Sequence, residues 1–431
     1  MKHRAVLDLH RRPVVRLAGV ALAVLVGCAP VRSGSDGAGP RFSDGGPEAE
    51  EYGAGDGYRP SAIYRPRFFV GAFSHHDELL EGRRVARAGT PSRLGRAPAE
   101  PALRYEYEGH VRTLDEYLAR NPTTGLIIAR GDTILVERYQ YARNDRHRLA
   151  SFSMAKTVTA MLVGVATAEG RIRSVDDPAE AYVPELAGTE YGRTSLRHLL
   201  QMASGVLFTE NYSGMDDAAR LVADTFVQVG QGGVEAVKPY DNRVRPGGTA
   251  FAYASAETQV LGLVLRGAVG RPVAEYFQEK IWQPIGAEAD AAWLIDRAGQ
   301  EATYCCLNAV LRDYARLGLL LAHDGAWRGR QLIPAAWVVE ATSAREGQPE
   351  FWAGRAVSLV LAGYGYQTWL LPGQRRMFAL LGAHGQAIYV DPASRLVMVH
   401  TAVRRLPFDL GPEAFALWRA VVEQLGGRAT P

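Results

Sequence analysis

Lysine is scarce in this chain. Of 49 basic side chains only four are lysine (Lys2, Lys156, Lys238 and Lys280), and the rest are arginine. Arginine keeps its charge at any workable pH and makes a poor general base, whereas a desolvated lysine can give up its proton. An isolated lysine inside an apolar stretch therefore stands out. Cysteine is equally sparse, with three residues and no Cys-x-x-Cys spacing, which excludes a thiolate zinc site. Cys305 and Cys306 are neighbours, and a bond between neighbours is rare, so they are expected to be two small buried thiols at the start of a helix. Lys/Arg-rich runs are missing from the body and the formal charge is only +3, which argues against nucleic-acid binding. Nothing implies a metal or another cofactor. With 431 residues, 47% hydrophobic and 22% charged, the chain is not of a disordered type and can bury two or three domains' worth of core.

The N-terminal apolar run, Leu17 to Val26, is too short to span a bilayer. It follows Lys2, Arg4, Arg11, Arg12 and Arg16 and ends Leu25-Val26-Gly27-Cys28. A basic region, a short apolar run and small residues make a secretory signal. This one resembles the bacterial lipoprotein signal, which implies lipidation of Cys28 and tethering to a membrane of the cell envelope. Residues 29–60 are rich in Gly, Ser, Asp, Glu and Pro and read as a flexible linker. Residues 61–109 read as a lead-in segment that wraps the body.

The pattern tightens from about residue 110. Gly125–Ala129 and Thr133–Tyr139 read as two strands joined by the turn Arg130-Gly131-Asp132. A helix from Met154 to Glu169 stops at Gly170. Residues 171–300 offer helical runs without clear strands, and 303–322 reads as one helix. Strand signals return at Tyr364–Leu371, Met377–Leu381, Gln386–Val390 and Leu396–Thr401, before a last helix over Pro412–Leu425. Strands from both ends can share one antiparallel sheet with the central helices to one side, an α+β architecture with a helical subdomain at about 171–300.

The isolated lysine is Lys156, in Ser153-Met-Ala-Lys156. On a helix, residues i and i+3 share a face, so the serine and the lysine can touch. The helix N-terminus favours negative charge, which suits an alkoxide or oxyanion. A serine hydroxyl needs a base to become a nucleophile, and a lysine in apolar surroundings (Phe152, Met154, Val158) can serve. A bland alternative is a serine capping the helix followed by a surface lysine.

Further segments resemble the serine hydrolases related to class C β-lactamases and penicillin-binding proteins. Arg148-Leu-Ala-Ser-Phe-Ser153-Met-Ala-Lys156-Thr157 is similar to their first motif, Phe251-Ala-Tyr253-Ala-Ser255 to the second, and Leu381-Gly-Ala-His384-Gly-Gln386 to the third. Thr194 to Gly205 and Leu317 to Trp337 extend the likeness, which covers about 110–425. Ser-Phe-Ser-x-Ala-Lys, His-Gly-Gln and Tyr212 point to the 6-aminohexanoate-dimer hydrolase subgroup. The resemblance implies a β-lactamase/transpeptidase-like fold with Ser153 as nucleophile and Lys156 as base or proton relay. Tyr253 would protonate the leaving group, with its phenolate favoured beside an ammonium. The backbone N–H groups of Ser153 and Ala387 would form the oxyanion hole. Tyr212, Ser255, His384 and Gln386 would line the substrate site. Asp216, Asp217 and Asp224 read as a solvated acidic face. Lys-Thr-Gly is missing and the second motif ends in serine, which counts against efficient β-lactam turnover. The leading expectation is a hydrolase of a small ester or amide. The alternatives are a D-alanyl peptidase or β-lactamase, and a catalytically silent binder of envelope material.

Overall fold

The computed structural model describes residues 39–53, 63–227, 232–351, 360–407 and 411–427. The signal segment, Cys28 and the first part of the linker lie outside these residues.

The central sheet forms as the apolar patterns require. Its strands are β1 (Thr123–Arg130), β2 (Thr133–Tyr139), β3 (Phe378–Gly382), β4 (Gln386–Asp391) and β5 (Leu396–Ala402). The order β2-β1-β5-β4-β3 interleaves the two ends of the chain, and these five are antiparallel throughout. Alternate side chains serve two cores. Ile127, Ile388, Val390, Val397 and Val399 face one layer; Leu126, Ile128, Tyr389, Leu396 and Met398 face the other. A sheet covered on both faces explains strands that read as unbroken apolar runs. Helix α5 (Pro412–Leu425) covers the second face, with Trp418 stacked on Tyr389 at 5.8 Å between ring centres.

The other face carries α1 (Met154–Ala168) and α4 (Leu311–Ala322). Gly318 lies inside α4, where a Cβ would sit 2.5 Å from Val397 and 2.8 Å from Ile388. The helix continues through this glycine because only a bare backbone lets it lie so close to the sheet. Between them, α2 (Asp217–Phe226) and α3 (Ser255–Val269) belong to the helical region.

Gln367 ties this layer together. Its carbonyl accepts from Thr157 Oγ1 of α1, its side-chain oxygen from Thr258 Oγ1 of α3, and its amide donates to the Leu199 carbonyl.

Four expectations need correction. Residues 303–322 are not one helix: Leu307–Ala309 is a strand, paired with Leu149–Ala150 and with Ala291–Leu294. The latter strand lies within the stretch expected to have none, and also pairs with Gly82–Val85 of the lead-in. These are strands of two to four residues, too short for alternation to show. Tyr364–Leu371 is not one strand but a hairpin of Gly363–Tyr364 with Trp369–Leu370. Finally, residues 39–53 of the expected flexible linker are ordered on the body. Arg41–Phe42 pairs in parallel with β2, Phe42 stacks on Tyr139, and Tyr52 is buried against Phe69. A few aromatic anchors outweigh the polar composition around them.

Candidate active site

Ser153 stands at the N-cap of α1, but its hydroxyl makes no capping hydrogen bond. It accepts instead from Lys156 Nζ at 2.9 Å. The residue before it, Phe152, has φ of +44°, an unusual conformation for a bulky side chain. That turn carries the chain from the short strand Leu149–Ala150 straight into the helix. It leaves Ser153 half-buried while its neighbours Ser151 and Met154 are buried.

Lys156 is 1% exposed. All three of its N–H groups are used: on Ser153 Oγ, on Ser255 Oγ at 3.0 Å and on the Tyr304 carbonyl at 2.8 Å. Two of these acceptors are hydroxyls and the third a carbonyl. Burial brings its pKa down to about 8, against a smaller upward pull from the Glu210 carboxylate. At pH 8 about half of the molecules then hold a neutral amine, where an ordinary lysine would be neutral in well under 1%.

Tyr253 places its ring face 4.9 Å from the ammonium, a cation–π contact, and its hydroxyl forms a hydrogen bond with Ser153. The expected phenolate is not what this setting favours. Burial, and then the charge of Glu210, push the phenol pKa well up, and the bond to Ser153 only partly offsets them. Tyr253 is a neutral phenol, able to donate a proton. Its ring stacks on Trp369 at 5.3 Å and meets Tyr364 edge-on, which fixes one wall of the cleft.

Glu210 is the residue that sequence reasoning missed. Its carboxylate accepts from Ser255 N at 2.7 Å, Ser255 Oγ at 2.8 Å and Tyr212 O–H at 3.0 Å. Ser255 thereby relays between Glu210 and Lys156. No local spacing announces this carboxylate, because its serine partner is 45 residues away. Tyr304 was missed for a different reason: its backbone carbonyl does the binding, and any residue type has one.

The remaining candidates fall into two groups. Ser255 joins the Lys156 network directly, and Tyr212 joins it through Glu210. His384 and Gln386 are held elsewhere. His384 is buried, with Nδ1 bonded to the Arg404 carbonyl at 2.7 Å and its ring against Phe69, Phe73 and Phe152. Burial lowers its pKa, so it is a neutral ring. The Gln386 amide donates to the Ala402 carbonyl at 2.7 Å, and its side-chain oxygen accepts from Ala402 N. Both brace the turn between β3 and β4. Ala387 lies inside β4, paired with Leu381 on one side and His400 on the other. Paired on both sides, its N–H lies in the plane of the sheet. The end of β3 packs against the Ser151-Phe152 turn that precedes Ser153. A Cβ on Gly382 would collide with the Ser151 carbonyl and stand 3.1 Å from Phe152 Cβ.

Asp216 and Asp224 are not a solvated face. Asp216 is buried and caps α2, accepting from Ala219 N, Asn211 N and Tyr212 N. Asp224 is buried, 3.6 Å from Arg220, and Asp217 binds Thr209. The caps and turns that consume them are invisible in a count of charges. Cys305 and Cys306, expected as free thiols, are joined in a disulfide.

Comparison with known proteins agrees with this geometry. The model of the beta-lactamase family matches residues 111–422. A 6-aminohexanoate-dimer hydrolase of Paenarthrobacter ureafaciens is 29% identical over 340 residues, covering 76% of this chain and 83% of that protein. Among solved structures, a Bacillus anthracis protein described as a candidate 6-aminohexanoate-dimer hydrolase superposes with a TM-score of 0.73 at 23% identity, over 84% of this chain and 94% of its own. A family VIII carboxylesterase superposes with a TM-score of 0.54 at 19% identity, over 70% and 93%. The serine–lysine pair at the head of α1, on a sheet of this order and within a match spanning most of the chain, makes the protein a member of the beta-lactamase family of serine hydrolases.

Proposed function

We propose that the protein hydrolyses a small ester or amide through an acyl-enzyme on Ser153. The observation that carries this is the buried Lys156 amine, 2.9 Å from Ser153 Oγ with its pKa near 8. In the first step neutral Lys156 takes the Ser153 proton as Oγ attacks the carbonyl carbon. The developing oxyanion is met by the Ser153 N–H and an N–H from the Gly382–Ala383 end of β3, in place of Ala387. Tyr253 then gives its phenolic proton to the leaving oxygen or nitrogen, and the resulting phenolate recovers one from the adjacent Lys156 ammonium. Water attacks the acyl-enzyme by the reverse path. Tyr212 and the Glu210 carboxylate flank the leaving-group side, and His384 and Gln386 hold the β3–β4 turn that shapes the acyl side.

The test is a turnover screen over short chromogenic esters, aminohexanoate-type amides and β-lactams, with a fluorophosphonate to trap the nucleophile. Turnover of an ester or an amide, and probe attached at Ser153, are expected. A stable penicillin adduct instead would move the protein to the D-alanyl peptidase reading. No probe attachment would move it to the silent-binder reading.

The charge state of Lys156 predicts a pH profile. Burial holds its pKa low, so the neutral base is present above pH 8 and is lost below it. kcat/KM is expected to fall about tenfold per pH unit below pH 8. Glu210 pulls that pKa upward, so Glu210→Gln should move the limb to lower pH. A limb that stays put, or moves up, would show that Glu210 does not act on Lys156 electrostatically.

The envelope location implied by the N-terminal signal is part of the same proposal. Mass spectrometry of the mature N-terminus is expected to find a diacylglyceryl cysteine at Cys28. A mature chain beginning beyond Cys28 would remove the anchor.

A further inference from the structure

The Cys305–Cys306 disulfide takes no part in the chemistry above, yet it lies between two residues that hold the catalytic groups in place. Tyr304, immediately before it, holds Lys156 Nζ through its carbonyl. Leu307, immediately after it, pairs with Ser151, two residues before the nucleophile. Ser151 N donates to the Leu307 carbonyl at 2.8 Å, and Leu307 N to Ser151 Oγ at 3.1 Å. The segment is pinned outside these points as well. Thr303 N donates to Gln259 Oε1 of α3 and its carbonyl accepts from Thr159 Oγ1 of α1, at 3.0 and 3.1 Å. On the far side, Tyr314 O–H donates to the Leu307 carbonyl. The stretch Tyr304 to Cys306 between these pins has bonds of its own: Cys305 N donates to the Ala302 carbonyl, Trp293 Nε1 to the Cys305 carbonyl, Leu294 N to the Cys306 carbonyl and Tyr304 O–H to Thr225 Oγ1. Within it Cys306 has φ of +75°, a conformation that side chains rarely adopt and that the ring closed by the bond holds.

We infer that Cys305–Cys306 is a thiol-exchange site that controls the catalytic lysine, an inference resting on the Ser153–Lys156 reading above. A thiolate of a small dithiol attacks one sulfur, the Cys305–Cys306 bond breaks, and a mixed disulfide forms. The second thiolate of the reductant displaces the protein sulfur. Both cysteines end as thiols, having gained two electrons and two protons, and the dithiol ends as a cyclic disulfide. The two sulfurs must then separate from bonding distance to van der Waals contact in a place where the residues are 8% and 3% exposed. With Thr303 and Leu307 pinned, the displacement falls on the bonds of Tyr304 to Cys306 themselves, and the Tyr304 carbonyl is carried away from Lys156. The lysine loses one of its three acceptors and its fixed aim at Ser153 Oγ. The oxidised form is the active one, and the reduced form is impaired.

The experiment uses the full-length protein as isolated and dithiothreitol as the reductant. Ester turnover is read while the thiols on the 305–306 peptide are counted by iodoacetamide trapping and mass spectrometry. Opening the bond is expected to lower kcat about 10- to 100-fold, as a misplacement of catalytic groups by about 1 Å would. The kinetic limb near pH 8 should shift with it, and oxidised dithiothreitol should restore both. A Cys305→Ser/Cys306→Ser variant should show the reduced enzyme's rate and ignore the reductant. Full activity with both thiols titrated overturns the inference. So do two free thiols in the protein as isolated, or a bond that dithiothreitol leaves intact in the folded state. An oxidised enzyme that neither turns over esters nor takes a fluorophosphonate overturns the catalytic reading, and this inference with it.

Discussion

Ser153→Ala enzyme is expected to hydrolyse a chromogenic ester at least about 10⁴-fold more slowly than the parent, because loss of a serine nucleophile costs up to about 10⁶ in kcat. What survives comes from the oxyanion donors and from substrate binding, which the substitution leaves in place. Stability should change little. The Ser153 hydroxyl caps nothing, and the N-cap backbone remains. Its loss leaves Lys156 with Ser255 Oγ and the Tyr304 carbonyl as partners. The variant should therefore fold, bind substrate with nearly unchanged affinity, and fail to form an acyl-enzyme in intact-mass measurements. An alanine enzyme within about tenfold of the parent would end the nucleophile assignment, since no single side chain of such a unit contributes so little.

Lys156→Arg separates proton transfer from charge. Both side chains are cationic, but arginine cannot act as a base near neutral pH. If Lys156 takes the Ser153 proton, the variant should lose about 10²- to 10⁴-fold in kcat/KM, the usual contribution of general base catalysis. If Lys156 only supplies positive charge beside the alkoxide, activity should largely survive. The pH profile decides between poor fit and lost chemistry. The parent is expected to have its acid limb near pH 8, set by burial of the amine. The arginine enzyme should have no such limb, and raising the pH should not rescue it. Arginine is bulkier and always charged, so burying it where lysine is 1% exposed also costs stability. Lys156→Met, an uncharged side chain of similar reach, guards against a folding artefact. It should fold and be as inactive as the arginine enzyme.

The sheet was readable because its strands are long. Gly125–Ala129, Thr133–Tyr139, Gln386–Val390 and Leu396–Thr401 are stretches of five to seven residues with three or four consecutive apolar side chains, and each lies in a strand. The two-residue strands Leu149–Ala150 and Arg41–Phe42 have no periodicity to detect; they exist because a neighbour offers hydrogen bonds. Gly318 is a poor helix former within α4, and the close approach of that helix to Val397 and Ile388 is what requires it. His384 and Gln386 drew attention through the resemblance of Leu381–Gln386 to the third motif. Their hydrogen bonds go to the backbone at Arg404 and Ala402, so a polar residue conspicuous in sequence can be spent on the frame around a site.

The sequence by itself determined the helix that brings Ser153 and Lys156 onto one face, because a separation of three residues is local geometry and needs no tertiary contact. It also determined the short apolar runs that build the sheet beneath them. What a lysine in that position does was decided only by the tertiary structure. Burial under α3 and the 304–307 segment sets its pKa near 8. Glu210 reaches it through a serine 45 residues further along the chain. Tyr253 stays a phenol because the same burial that frees the amine suppresses the phenolate. Desolvation and charge act through space, and distances through space between residues far apart in sequence come into being only when the chain folds.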